Sequence, residues 1–250
     1  MGHTRMLVWE GISEIDGETP IMLLATGVPW RGGKGSKSAN PKTGPMIQTW
    51  VIRSDMPPSE ALNRGMDRAI CGTCPHASKA SGGTGACYVE GWRVNSIYAA
   101  HVTKGSTPMS LEAFAGQEIR FGAYGDPAAV PLHVWEELAS VASGTTGYTH
   151  QWRNISPEFA RIAMASVDSV EEWPQAKARG YRSFVVLPAG SDKPRGAVVC
   201  PASDEGGKRV QCITCLQCSG TDSGRRADIT IQAHGAGKGS FAALPLEVLA

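Results

Sequence analysis

The chain has 250 residues, 42% of them hydrophobic, enough for a real core, so the expectation is a packed globular protein rather than a disordered chain. With 24 basic and 23 acidic residues interspersed, the formal charge is +1, and no overall electrostatic footprint marks a general nucleic-acid binder. No stretch approaches the roughly 20 uninterrupted apolar residues that span a bilayer, and Met1 to Glu10 lacks the apolar run of a signal peptide, which excludes a membrane role and points to the cytoplasm.

The first sixty residues read as an irregular, β-rich entry segment. Pro20 to Thr26 and Met46 to Arg53 are strand candidates, separated by Gly32, Gly33, Gly35 and Asn40-Pro41. Ser59 to Ala69 has helical spacing with Ser59 as N-cap and delivers the chain to Cys71. A Gly-rich loop follows at Ser81 to Gly85, and Tyr88 to His101 reads as a helix with Trp92, Val94, Ile97 and Tyr98 on its apolar side. These elements make residues 61–117 a first cysteine loop and helix.

Residues 118–250 are more regular. Strands are expected at Glu118 to Tyr124, Thr146 to Gln151, Phe159 to Val167, Arg182 to Leu187, Ala197 to Cys200 and Ile229 to Ala233. Helices are expected at Val130 to Ser143 and at Val170 to Ala178, the latter with Pro174 in its first turn and Gly180 at its end. Alternating strands and helices predict parallel βαβ units, and about six strands suggest a single α/β domain built as a partial or open barrel. In such folds functional groups gather at the carboxyl ends of strands. Asp126, His150, Gln151, Asp168, Ser169, Cys200 and His234 fall there, and Asp126, His150, Asp168 and His234 are the catalytic candidates. Helix capping is an equal reading for Asp126 and Asp168, and a structural role is the commoner one for the two histidines.

Seven cysteines without an export signal argue against disulfides, and their clustering argues against inert buried thiols. They fall into two groups, Cys71-x2-Cys74-x12-Cys87 and Cys200-x11-Cys212-x2-Cys215-x2-Cys218. A CxxC loop turns two sulfurs to one centre, and a third cysteine after two more residues suits a cluster with several iron corners. A [4Fe-4S] cluster on Cys71, Cys74 and Cys87 with a second cluster or a zinc on the other four, one cluster sharing ligands from both groups, and a four-thiolate zinc site of Cys71, Cys74, Cys212 and Cys215 all fit this spacing. His76 is an additional candidate ligand. A thiol oxidoreductase working through Cys71 and Cys74 is disfavoured, because Pro75 follows and no thioredoxin-like strand leads in.

Several short motifs resemble the phage gene product 88-like proteins: Asn40-Pro41-Lys42-Thr43-Gly44, Cys74-Pro75, Cys87-Tyr88, Gly125-Asp126, Tyr148-Thr149, Asp168-Ser169, Cys200-Pro201 and the closing CxxCxxC. The resemblance implies a phage protein working in the host cytoplasm and says little about activity. A more distant likeness is to radical S-adenosylmethionine enzymes, which pair a partial barrel with a three-cysteine cluster. Their CxxxCxxC loop differs from the gaps of two and twelve found here. The expectation is therefore an iron-sulfur protein with a redox or radical-type role on a small molecule or nucleotide, using S-adenosylmethionine in the radical version. The alternative is a zinc-stapled, non-catalytic module that contacts a host protein, or nucleic acid through Arg31, Lys34, Lys37 and Lys42.

Overall fold

The computed structural model describes residues 4–29, 40–89, 91–235 and 237–241. Three hydrophobic strands open the chain: β1 (Thr4–Ile12), β2 (Pro20–Val28) and β3 (Ile47–Arg53), each antiparallel to the next. The β1–β2 turn is set by Asp16, whose carboxylate accepts the amides of Glu18 and Thr19 and the Thr19 hydroxyl. All seven residues of β3 are buried, the mark of a strand covered on both faces.

The remaining elements are α1 (Pro58–Asn63), α2 (Arg68–Cys71), α3 (Gly91–Lys104), β4 (Thr107–Pro108), β5 (Glu118–Tyr124), α4 (Leu132–Val141), β6 (Gly144–Thr149), β7 (Met164–Val167), α5 (Glu172–Ala178), β8 (Ser183–Leu187), β9 (Ala197–Val199), α6 (Cys212–Cys215), β10 (Asp228–Gln232) and α7 (Lys238–Phe241). All strands join one sheet in the order β4-β1-β2-β3-β5-β6-β7-β8-β10-β9. From β3 to β9 every pairing is parallel. The order from β3 to β8 has no reversal, so right-handed crossovers send α4 and α5 to the same side of the sheet.

That one-sided winding assigns the two faces. On β5 the odd residues Ile119 and Phe121 are fully buried, and Trp135 of α4 packs on Phe121 with ring centroids 4.7 Å apart. Its indole donates to the Pro127 carbonyl at 2.8 Å. The even residues Arg120, Gly122 and Tyr124 face a cavity instead. Gln48 and Trp50 of β3, Thr146 and Tyr148 of β6, and Phe184 and Val186 of β8 line the same cavity at the same period of two. The sheet thus has a helix-covered side and a side that encloses a chamber.

Several expectations are corrected. The sheet has ten strands among the described residues rather than about six, and it is mixed because β1 to β3 are antiparallel. The start is not irregular: β1 is a nine-residue strand hidden from the sequence by two bulges, which break its alternation with β2. The helix expected from Ser59 to Ala69 is two helices, because Gly65 takes φ +68° and a Cβ there would lie 2.4 Å from the Ala80 carbonyl oxygen. Its N-cap is Pro57, with Ser59 inside the first turn. The helix expected at Tyr88 begins at Gly91. The strand expected from Phe159 begins at Met164, after a 3-10 turn (Pro157–Arg161) capped by the Ser156 hydroxyl. Strands β5, β8, β9 and β10 lie within one residue of expectation. No helix among the described residues is long and apolar enough to cross a membrane.

Candidate metal centre

All seven cysteines are free thiols, and all seven line one cavity of about 830 Å³. That volume falls within the range of small-molecule sites, roughly 300–1,000 Å³.

The first group is built on α2 and the loop after it. Arg68 donates to the carbonyls of Gly72 (2.7 Å) and Cys74 (2.9 Å), curling the CxxC around its guanidinium. Gln151, directly after β6, accepts from the Thr73 amide at 3.1 Å and donates to the Cys71 carbonyl at 3.0 Å. Asp67 accepts from the Ser78 amide and hydroxyl, which closes the loop from the far side. Asn40 to Gly44, by contrast, serves the second group. The amides of Cys212 and Ile213 donate to the carbonyls of Lys42 and Thr43, and the Gln211 side chain reaches the Pro41 carbonyl. Gly44 has φ +70°, and a Cβ there would sit 2.8 Å from Gln211 Oε1.

Arg182, just before β8, completes the hold on the second loop by donating to the carbonyls of Ser219 (2.6 Å), Gln217 (2.8 Å) and Ala227 (2.5 Å). The Gly147 amide donates to the Cys218 carbonyl at 3.0 Å. Leu216 sits against Gly144, the first residue of β6, and Gly220 against the backbone of Arg161 and Ile162 ahead of β7. The CxxCxxC loop therefore closes the amino ends of the parallel strands. The first group lies at their carboxyl ends, where Gln151, His150 and Asp126 reside. Functional groups were expected to gather at the carboxyl ends, and this second loop lies elsewhere. Along β6 the two anchor points, Gly147 and His150, are three residues apart, roughly 10 Å of extended chain.

Electrostatics divide the cysteines the same way. Burial pushes the Cys71 thiol well up, and neighbouring Cys74 and Cys87 raise it further. Burial pushes Cys218 up to about 12, with Cys200, Cys212 and Cys215 adding to the rise. Between the groups lies Arg120, which is buried and donates to the Tyr88 hydroxyl at 2.5 Å. Burial works against its charge, but Tyr88, Tyr148, Cys212 and Cys218 hold the guanidinium protonated.

Of the four catalytic candidates, the structure brings two together. Asp168 Oδ1 lies 2.9 Å from His76 Nε2, and Asp168 Oδ2 lies 3.4 Å from His150 Nε2. Burial raises the Asp168 carboxyl, but the two imidazoles outweigh it and hold the group far below the ordinary carboxylate range. For His150, burial disfavours the imidazolium, while Cys74 and Asp168 more than offset it and shift its titration well upward. Asp126 positions the backbone: its carboxylate accepts the amides of Ala128 at 3.0 Å and His150 at 2.8 Å. His234 lies apart from this set, its ring stacked on Tyr88 at 5.4 Å. Of the basic residues considered for nucleic acid, Arg31, Lys34 and Lys37 lie outside the described residues.

No family model matches this sequence, and no curated protein or solved structure matches it. The site therefore stands on its own chemistry. One consequence concerns Gly72, which has φ +52° and whose Cβ would lie 2.3 Å from Gln151 Oε1. Gly72→Ala is expected to destabilise the protein by about 1–3 kcal/mol, read by thermal unfolding.

Proposed function

We propose that the chain is a two-cluster iron-sulfur protein in which Cys71, Cys74 and Cys87 hold one [4Fe-4S] cluster and Cys200, Cys212, Cys215 and Cys218 hold another. The observation that carries this reading is the electrostatic division of seven free thiols, all lining one chamber, into sets of three and four. The donor set fits: burial raises the thiols of Cys71, Cys87, Cys200, Cys212 and Cys218, and a bound metal would take the place of their protons. Among the described residues no three cysteine sulfurs come within 4.8 Å of one another, so a metal would have to draw its ligands together on binding.

A cluster supplies one-electron transfer, and one held by three cysteines also leaves an iron open to a ligand such as S-adenosylmethionine. The chain's own residues shape the rest. Parallel strands wound to one side form a partial barrel whose interior is the chamber. Arg120 presents a buried cation between the two thiolate sets, suited to a small substrate bearing a carboxylate or phosphate. Tyr88 and Tyr148 hold that cation in place. We therefore read the protein as a redox or radical-type enzyme of the phage kind that its motifs resemble.

The test is the visible spectrum of anaerobically purified protein before and after dithionite. A broad absorption near about 400 nm that bleaches on reduction is expected from thiolate-to-iron charge transfer. Colourless protein carrying stoichiometric zinc would sink the proposal and leave a stapled binding module.

A further inference from the structure

The group formed by His76, His150 and Asp168 is not explained by the cysteine chemistry. Its three ligand atoms lie within 4.8 Å of one another, and it is the single set of three or more histidine, cysteine or acidic donors that tight among the described residues. Hydrogen bonding alone accounts for it poorly. The His76 Nε2 contact to Asp168 is a good hydrogen bond, but buried His150 Nε2, 3.4 Å from Asp168 Oδ2, makes no well-formed one. His76 is itself only 9% exposed. A buried imidazole nitrogen left without a full hydrogen bond beside a carboxylate is costly unless a third species completes it.

We propose that His76, His150 and Asp168 form a site for one divalent first-row transition metal. Donors about 2.1 Å from a common ion and adjacent around it lie roughly 3 Å apart, the separation that His76 and His150 keep from the two Asp168 oxygens, 2.9 and 3.4 Å. Two imidazoles and one carboxylate are a nitrogen-rich set that favours Mn²⁺, Fe²⁺, Co²⁺ or Zn²⁺ over Ca²⁺ and Mg²⁺. The supporting shell is in place. The Asp168 amide donates to Glu172 Oε2 at 2.7 Å, Glu172 is paired with Arg153 at 2.7 Å, and the His150 amide is held by Asp126. These bonds hold the main chain from which Asp168 and His150 project. His76 and His150 both line the chamber, so the positions that three ligands leave open are reachable from it. The chamber would then present a mononuclear metal beside Cys74 in addition to its thiolates.

This site uses no cysteine, so it stands or falls separately from the cluster reading. The probe is Mn²⁺, a hard ion that competes weakly for thiolates, titrated into anaerobic protein while the electron paramagnetic resonance signal of the free ion is followed. The titration is run on protein as isolated and on protein stripped of iron. One Mn²⁺ is expected to bind per chain in both forms. Asp168→Asn and His76→Gln are each expected to weaken it at least tenfold, the scale of losses at metal sites, with iron content unchanged. A free-ion signal that rises without a binding phase in wild-type protein would overturn the proposal, as would two folded variants that bind Mn²⁺ as wild type does. Binding in a protein that never holds iron would sustain this site while defeating the cluster reading.

Discussion

Cys74→Ala is expected to lower the iron content from about eight to about four per chain and to leave the remaining cluster intact, because the two cysteine sets are bound by separate scaffolds. The Cys74 carbonyl is held by Arg68, and its thiol neighbours are Cys71, Cys87 and His150. The second loop depends on Lys42, Thr43, Gly147 and Arg182, none of which touches the first CxxC. A single cluster drawing ligands from both groups predicts the opposite outcome, complete loss of iron from one substitution. Paired iron and sulfide determinations on the variant separate the two schemes, and Cys218→Ala serves as the mirror experiment.

Arg182→Met is expected to cost about 1–3 kcal/mol in stability, the cost of the buried Ser219 carbonyl left unpaired, with the part-buried Gln217 and Ala227 carbonyls adding less. Arg182 itself is 6% exposed. The loss falls on the CxxCxxC loop and on the bottom of the chamber, so metal should leave the second set while the first keeps its own. Methionine retains the apolar stem of arginine, which makes the missing guanidinium the main difference. Urea unfolding gives the stability change, and iron analysis of the folded fraction reports the loop. An unchanged midpoint with full metal would show that the three hydrogen bonds do not hold the loop.

What could be read from the sequence follows from the range of the forces involved. Strand β8 carries a continuous apolar run, and β5 and β10 alternate apolar with polar or small residues, so local pattern suffices for them. β1 escaped because its bulges interrupt the period of two, and the Phe159 segment misled because its apolar residues belong to a 3-10 turn begun at Pro157. The positions of His150 and Asp168 at strand ends were legible, since strand order places their ends together. That His76 completes their group was not, because its contact with Asp168 spans 92 residues. Arg120 and Arg182 left a fainter signal that went unread: each is a charged residue in or beside an apolar strand, where only a buried partner makes it tolerable. The role of Asn40 to Gly44 was hidden for the same reason, as its partners lie some 170 residues later.

The most direct test of the account is the iron and acid-labile sulfide content of anaerobically purified wild-type protein, normalised to chain. About eight of each are expected, two cubes per molecule. Stoichiometric zinc without sulfide would contradict this, and with it the electron-transfer role assigned to the chamber.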